Sequence, residues 1–185
     1  SKVILAGSCL MFDGSDTCLQ DEKTPFQSES FYGLAKITEQ KLAEFFRNMG
    51  VFVSMAILYN HESPRRSDNF VTKKIVKNLV QICNGKQNEF SLGCIDAIKD
   101  WGYAKDYVEG MWKMLQQQKP EDYVLASNTA YTVKYFLNEC FKALNFSIEW
   151  KGKGLKEVGI DKKTKKIILK INPRYYRPTE VEYLK

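Results

Sequence analysis

The sequence predicts an α/β protein built on a parallel sheet, and three observations carry that prediction. Its 185 residues, 44% of them hydrophobic, suffice for one ordinary domain core. Short apolar runs alternate with amphipathic helical stretches along the chain. The longest such run, VFVSMAILY (51–59), is β-branched and nearly continuous in apolar residues, as a strand covered on both faces must be.

In order, VILAG (3–7) is a brief buried strand. Leu34, Ile37, Leu42, Phe45, Phe46 and Met49 then recur at helical spacing with Lys and Glu between them, predicting a helix over 34–49. Gly50 stops it at the C′ position, and the strand 51–59 follows at once. A second helix runs from about Asn69 to Cys83 and ends at Asn84-Gly85. Two more occupy 104–117 and 131–144, while DYVLA (122–126), FSIEW (146–150) and IILKIN (167–172) read as strands. The lysine-rich DKKTKK (161–166) reads as a solvated turn. An open parallel sheet with helices on both faces normally holds five or more strands, whereas only 3–7, 51–59 and 122–126 have the fully buried pattern. The expectation is a chain that forms part of a larger domain whose beginning is missing.

Composition excludes several classes. No run of 18 apolar residues occurs, so no membrane-spanning helix and no membrane role is expected. The apolar stretch near the N-terminus is broken by Gly7 and Ser8 and reads as a strand, not a signal peptide. Five widely spaced cysteines without a CxxC pair argue against a disulfide framework or a zinc site and for a reducing, cytoplasmic location. A single histidine excludes a multi-histidine metal centre, and no metal is expected. The net charge of +6 is uneven: eleven Lys and Arg face four Asp and Glu from Lys151 to Lys185, against 17 and 18 before that. A basic end on a neutral body points to an anionic partner: nucleic acid, a membrane surface or a phosphorylated small molecule.

The sharpest local chemistry lies in Tyr32-Gly-Leu-Ala-Lys36. Four residues apart at the start of a helix, the phenol and the ammonium share one face, and an ammonium close to a phenol favours the phenolate. A phenolate made accessible near neutrality is a general base. Taken alone, YxxxK is also satisfied by a surface tyrosine and lysine in chance contact. Ser8 follows a buried strand, at the carboxyl edge of a parallel sheet where ligands bind.

The stretches TPF…S.YG.AK, ILYNHESPRR…NFVTKKI, KDWGYAKDYVEGMW.MLQ, PEDYVLA and NPRYYRPTEVEYL resemble the extended short-chain dehydrogenase/reductase family of nucleotide-sugar enzymes, and within it the GDP-mannose 4,6-dehydratase family. The resemblance covers nearly the whole chain. It implies the C-terminal part of a Rossmann-like doubly wound parallel sheet plus a small α/β substrate-binding domain. Residues 1–60, with 100–127 returning to them, would be the second half of the dinucleotide-binding domain; 61–99 and 128–185 would bind the nucleotide-sugar.

The resemblance also implies roles. Tyr32 would take the sugar O4 proton, Lys36 would assist it and bond the nicotinamide ribose, and Ser8 would bond the same sugar hydroxyl. His61 and Arg66 would contact NADP, with NAD as the other possibility, and Arg65 would share the Arg66 loop. Asn60, Thr72, Lys74, Lys99, Arg177 and Glu180 would hold a GDP-sugar. Lys99 stands where the family usually has arginine, so it keeps charge and loses the two-pronged hydrogen bonding of a guanidinium. A homodimer or homotetramer is implied, and no nucleic-acid role.

Two departures bear on function. The glycine-rich dinucleotide fingerprint is absent: Gly152-Lys-Gly154-Leu-Lys-Glu-Val-Gly159 places its last glycine two residues late and opens no helix. The chain therefore reads as the second part of such an enzyme. In addition, Ser8-Cys9-Leu10 puts leucine where the family's Ser/Thr-x-Glu pattern has the glutamate that serves elimination. Leucine cannot exchange protons, so Asp13 or Asp16 would have to substitute. Three functions follow: a GDP-mannose 4,6-dehydratase, a related C4 oxidoreductase or epimerase without elimination, or a non-catalytic remnant.

Overall fold

The computed structural model describes residues 1–12 and 19–176 and the backbone of Tyr183–Leu184. In chain order the elements begin with β1 (Lys2–Ala6), α1 (Phe31–Asn48), β2 (Phe52–Leu58), β3 (Asn60–Glu62), α2 (Val71–Cys83), β4 (Phe90–Leu92), β5 (Ile98–Tyr103) and α3 (Ala104–Gln116). They continue with β6 (Tyr123–Leu125), β7 (Ala130–Thr132), α4 (Val133–Ala143), β8 (Ile148–Lys151), β9 (Val158–Asp161), β10 (Ile167–Ile171) and β11 (Tyr183–Leu184). They fall into two compact units: residues 1–63, 98–130 and 181–185 form the first, and residues 64–97 and 131–180 the second.

In the first unit β1, β2 and β6 form a parallel sheet in the order β1-β2-β6. The parallel prediction holds. Of the three strands expected to be fully buried, β2 alone is so, from Val53 to Ile57. Strands β1 and β6 are the sheet's two edges among the described residues, and an edge strand is covered on one flank only; Val3 is accordingly 40% exposed. Beside this sheet, β3 and β5 pair in parallel with Asn60 opposite Trp101 and His61 opposite Gly102, and β11 adds to β5.

Helix α1 begins three residues before the periodic apolar positions because a cap, not a hydrophobe, sets its start. Ser30 Oγ accepts from the Gly33 N–H at 2.9 Å. It ends at Met49, and Gly50 takes φ +84°, the left-handed conformation expected of a C′ glycine. At the far end of α3, Lys2 Nζ donates to the carbonyls of Leu115 and Gln117 at 2.7 and 2.9 Å, satisfying acceptors that a helix terminus leaves open.

The second unit carries the sheet β4-β10-β9-β8, parallel only between β4 and β10, with α2 and α4 packed on each other. Ile75, Leu79, Leu137, Phe141 and Leu169 are buried in it. The predicted turn 161–166 joins β9 to β10. Its lysines are exposed, but Asp161 is buried and accepts from the Thr164 hydroxyl at 2.7 Å and the Thr164 N–H at 3.1 Å, which fixes the turn from inside.

One polar clasp holds the first unit's sheet to its helix. The Asp122 carboxylate accepts from Arg47 Nη2, from the Met55 N–H at 2.9 Å and from Gln40 Nε2 at 3.2 Å, joining α1, β2 and the approach to β6. The Asp122 side chain is only 15% exposed. Asp122→Ala removes the acceptor of Arg47 Nη2 and of the Met55 N–H, leaving the guanidinium only its Nε bond to the Val53 carbonyl, and should lower stability by about 2–3 kcal/mol in urea unfolding. A loss below about 0.5 kcal/mol would show the clasp to be solvent-screened.

Candidate active site

The first unit gathers Ser8, Tyr32, Lys36, Asn60, His61 and Lys99. Ser8 leaves the end of β1 and caps a single 3-10 turn, Cys9–Met11, its Oγ accepting from the Leu10 N–H at 3.2 Å. The first turn of α1 is pressed onto that turn at Gly33. A Cβ at Gly33 would lie 2.2 Å from the Leu10 carbonyl oxygen and 2.0 Å from Ser28 Oγ. Ser8 and Tyr32 therefore flank one backbone contact that only a glycine permits.

Tyr32 is 54% exposed, so more than half of the residue is open to solvent. The Lys36 ammonium lies 5.9 Å from the Tyr32 ring centroid, as the one-turn spacing predicts. It is not committed to the phenol, however: it donates to both Glu39 oxygens, at 3.0 and 2.9 Å. Glu39 is a neighbour that the pattern YxxxK does not include.

Asn60 and His61 stand on β3, and each is half-buried. Asn60 Nδ2 donates to the Asp100 carbonyl at 3.2 Å, which fixes the amide plane. His61 Nδ1 lies 2.8 Å from the Tyr59 carbonyl. A carbonyl only accepts, so Nδ1 carries a proton, and in the neutral ring Nε2 is the acceptor. The ring packs on Tyr107 with centroids 5.1 Å apart. Lys99, on β5, precedes Asp100, which is fully buried and accepts from the Ser127 N–H through Oδ1 at 3.0 Å.

Beneath these residues lies a set of buried polar groups that the sequence did not reveal. Burial pushes the Cys9 thiol up to about 11, with the Lys99 charge and the Ser8 hydroxyl pulling weakly the other way. Burial, then the charges of Cys9 and Asp100, push the Tyr59 hydroxyl up; burial and Asp100 push Tyr107 up. Tyr59 also donates to Gln20 Oε1. The available signal was the alternation KDWGY, in which the charged Asp100 must face inward if Lys99 faces out.

The second unit holds Arg66, Thr72 and Lys74. Arg66 lies 3.4 Å over the Phe70 ring, a stacked guanidinium. Phe70 occupies the N-cap of α2 and offers no side-chain acceptor to the first-turn N–H groups. Thr72 is buried in that turn, and Lys74 rests 3.6 Å over the Tyr175 ring, its charge disfavoured by burial. Arg177, Glu180, Asp13 and Asp16 lie outside the described residues.

Comparison with known proteins gives a consistent picture. A family model described as GDP-mannose 4,6 dehydratase matches residues 1–185. The chain is 46% identical over 166 residues to the GDP-mannose 4,6 dehydratase of Homo sapiens, covering 89% of this chain and 45% of that protein. Against the Drosophila melanogaster protein of the same name it is 43% identical over 166 residues, covering 89% and 42%. The chain thus spans less than half the length of these relatives. Among solved structures, an NAD-dependent NDP-hexosamine 5,6-dehydratase of tunicamycin biosynthesis matches with TM-score 0.76 at 16% identity, over 100% of this chain and 53% of that one. The dTDP-glucose 4,6-dehydratase of Bacillus anthracis, in complex with NAD, matches with TM-score 0.73 at 15% identity, over 92% and 49%. These two likenesses speak to the fold, a Rossmann-like α/β architecture.

Two outcomes follow from the geometry. Gly33→Ala forces a methyl group against the Leu10 carbonyl and should lower the urea midpoint by the equivalent of about 1–3 kcal/mol, the cost of overpacking; an unchanged midpoint would mean the contact yields freely. Cys9, raised in the fold from 9.0 to about 11, stays protonated while the unfolded chain loses that proton. Its contribution is therefore complete below pH 9 and lost as pH rises towards 11, at up to about 1.4 kcal/mol per unit. Cys9→Ala should flatten that part of the stability profile.

Proposed function

The chain belongs to the GDP-mannose 4,6 dehydratase family, and on that premise we propose that it supplies the hydroxyl-activating and sugar-binding residues of a nucleotide-sugar 4,6-dehydratase acting on GDP-mannose. The observation that carries this reading is the Tyr32–Lys36 pair on a helix turn pressed against the Ser8-capped turn. Tyr32 takes the O4 proton, Lys36 assists it from one helical turn away, and Ser8 hydrogen-bonds the same hydroxyl to hold C4 in place.

A nicotinamide dinucleotide, when bound, would supply hydride uptake from C4 and its return to C6 once the C5 proton and the C6 hydroxyl have left as water; those proton transfers would fall to Asp13 or Asp16, since Leu10 exchanges no proton. NADP is the proposed form, with NAD as the alternative. Lys36, Tyr32, His61 and Arg66 are the residues of this chain that would hold it. The fit is supported by the acceptor left on His61 Nε2, which suits a hydroxyl or amide donor, and by the exposed Tyr32 edge. The sequence has no glycine-rich strand–turn–helix, so cradling of the diphosphate is not assigned to this chain.

The sugar nucleotide is assigned to Asn60, Thr72, Lys74 and Lys99, with Arg177 and Glu180 for the nucleotide end. The first turn of α2 supports an anion there, since a helix N-terminus favours negative charge, Phe70 at the N-cap makes no side-chain cap hydrogen bond, and Thr72 and Lys74 stand in or next to that turn. A homodimer or homotetramer is proposed, supported by the exposed Leu42, Phe45, Phe46 and Met49 of α1. Cys9, Cys83, Cys94 and Cys140 are free thiols, which suits a cytoplasmic location. No described helix is long and apolar enough to cross a membrane.

A second reading rests on Leu10. Its apolar side chain packs against Cys9, Met11 and Phe12, and it brings no proton-exchanging group to the Ser8 turn. C4 oxidation and reduction would then proceed without elimination, giving an oxidoreductase or epimerase.

Incubating the whole protein with GDP-mannose and NADP should yield a 4-keto-6-deoxy sugar nucleotide. Tyr32→Phe should lower kcat by about 10²–10⁴-fold with GDP-mannose affinity nearly unchanged. A product that keeps its C6 hydroxyl, converted to the deoxy product by Leu10→Glu, selects the second reading. Failure to take up either dinucleotide overturns both and leaves a non-catalytic remnant.

A further inference from the structure

Tyr32, Lys36 and Glu39 lie on one stripe of α1, at positions i, i+4 and i+7. Lys36 Nζ donates to Glu39 Oε1 at 3.0 Å and to Oε2 at 2.9 Å, so the carboxylate grips the ammonium with both oxygens. The lysine side chain is 19% exposed and the glutamate 41%. Glu39 also borders an apolar groove of about 360 Å³, between α1 and strands β1 and β2, lined by Val3, Leu5, Leu42, Phe46 and Val53. A charge with an apolar wall on one side is screened by water on the other side only, and acts at longer range than a fully solvated one.

We propose that Glu39 is a positioning residue of the Tyr32–Lys36 pair: it holds the Lys36 ammonium along the helix, and so sets how closely Lys36 approaches the phenol. The proposal rests on the reading of Tyr32 and Lys36 given above. Few other charges compete. Among the described residues, the turn packed on this end of α1 brings the buried Cys9 thiol. Glu29 stands in the segment leading into the helix, and β2 has no titratable side chain. Lys2 of β1 is engaged by the Leu115 and Gln117 carbonyls. Farther along α1, Lys41 pairs with Glu44 and Arg47 with Asp122.

The test needs no cofactor. The rise in absorbance near 295 nm with pH is recorded for the whole protein and for each variant against its own Tyr32→Phe counterpart, so that only Tyr32 remains in the difference; circular dichroism at each pH limits the range to folded protein. Releasing Lys36 towards the phenol with Glu39→Gln should move the Tyr32 midpoint to lower pH by about half a unit. Glu39→Asp, which keeps the charge at the i+3 spacing, should restore the parent midpoint. Lys36→Met should move the midpoint up, and adding Glu39→Gln to Lys36→Met should have no more than a small effect. A midpoint that Glu39→Gln leaves in place or raises overturns the proposal, as does an equal shift without Lys36, which would make Glu39 act directly. If Lys36→Met itself moves nothing, the Tyr32–Lys36 reading fails and this one fails with it.

Discussion

The candidate site depends on how closely the first turn of α1 approaches the turn after β1. Gly33 has no room for a β-carbon because the Leu10 carbonyl and the Ser28 hydroxyl already occupy that space. Two capped turns are locked against each other there, Ser30 capping α1 and Ser8 capping the Cys9–Met11 turn. The proton abstraction assigned to Tyr32 needs a fixed distance to whatever Ser8 holds. A backbone-to-backbone contact fixes it more firmly than two side chains would, because neither partner has a rotamer to change.

The parts of the fold legible in the sequence are those with a strong single signal. Strand β2 and the four helices were found because continuous apolar character and 3.6-residue spacing leave few alternatives. Strands β3, β4, β7 and β9 were not read, being only three or four residues long, and polar residues fill β3 as NHE. Strand β5, IKDWGY, was hidden for another reason: its buried residue is a carboxylate, Asp100, where hydropathy expects a hydrocarbon. The start of α1 was misplaced because apolar periodicity reports the face a helix buries, while its beginning is set by the serine that caps it.

At the site the same division holds. Tyr32 and Lys36 were legible because i, i+4 spacing alone makes them neighbours. Glu39 was not singled out, although of the two α1 carboxylates, Glu39 and Glu44, it alone stands at i+3 from Lys36, because the pattern YxxxK does not include that position. The ring contact of His61 with Tyr107 joins residues 46 positions apart and has no local signature. Resemblance supplied roles for Asn60, Thr72 and Lys74, and the geometry adds partners that resemblance did not contain: the Asp100 carbonyl for Asn60 and the Tyr175 ring for Lys74.

Strand and turn geometry explain why those hidden partners lie where they do. In an extended segment neighbouring side chains point to opposite sides, so a residue that faces a ligand has chain neighbours that face the interior. Lys99 is followed by buried Asp100, Asn60 is preceded by buried Tyr59, and Ser8 is followed by buried Cys9. Each inner neighbour is polar, and burial keeps the thiol and the two phenols, Tyr59 and Tyr107, in their protonated forms well above neutral pH. Groups that stay neutral beneath the site add hydrogen-bonding capacity without adding field. On the helix that carries Tyr32, Lys36 and Glu39 pair across a single turn, neighbours that helical spacing sets where strand alternation sets the others.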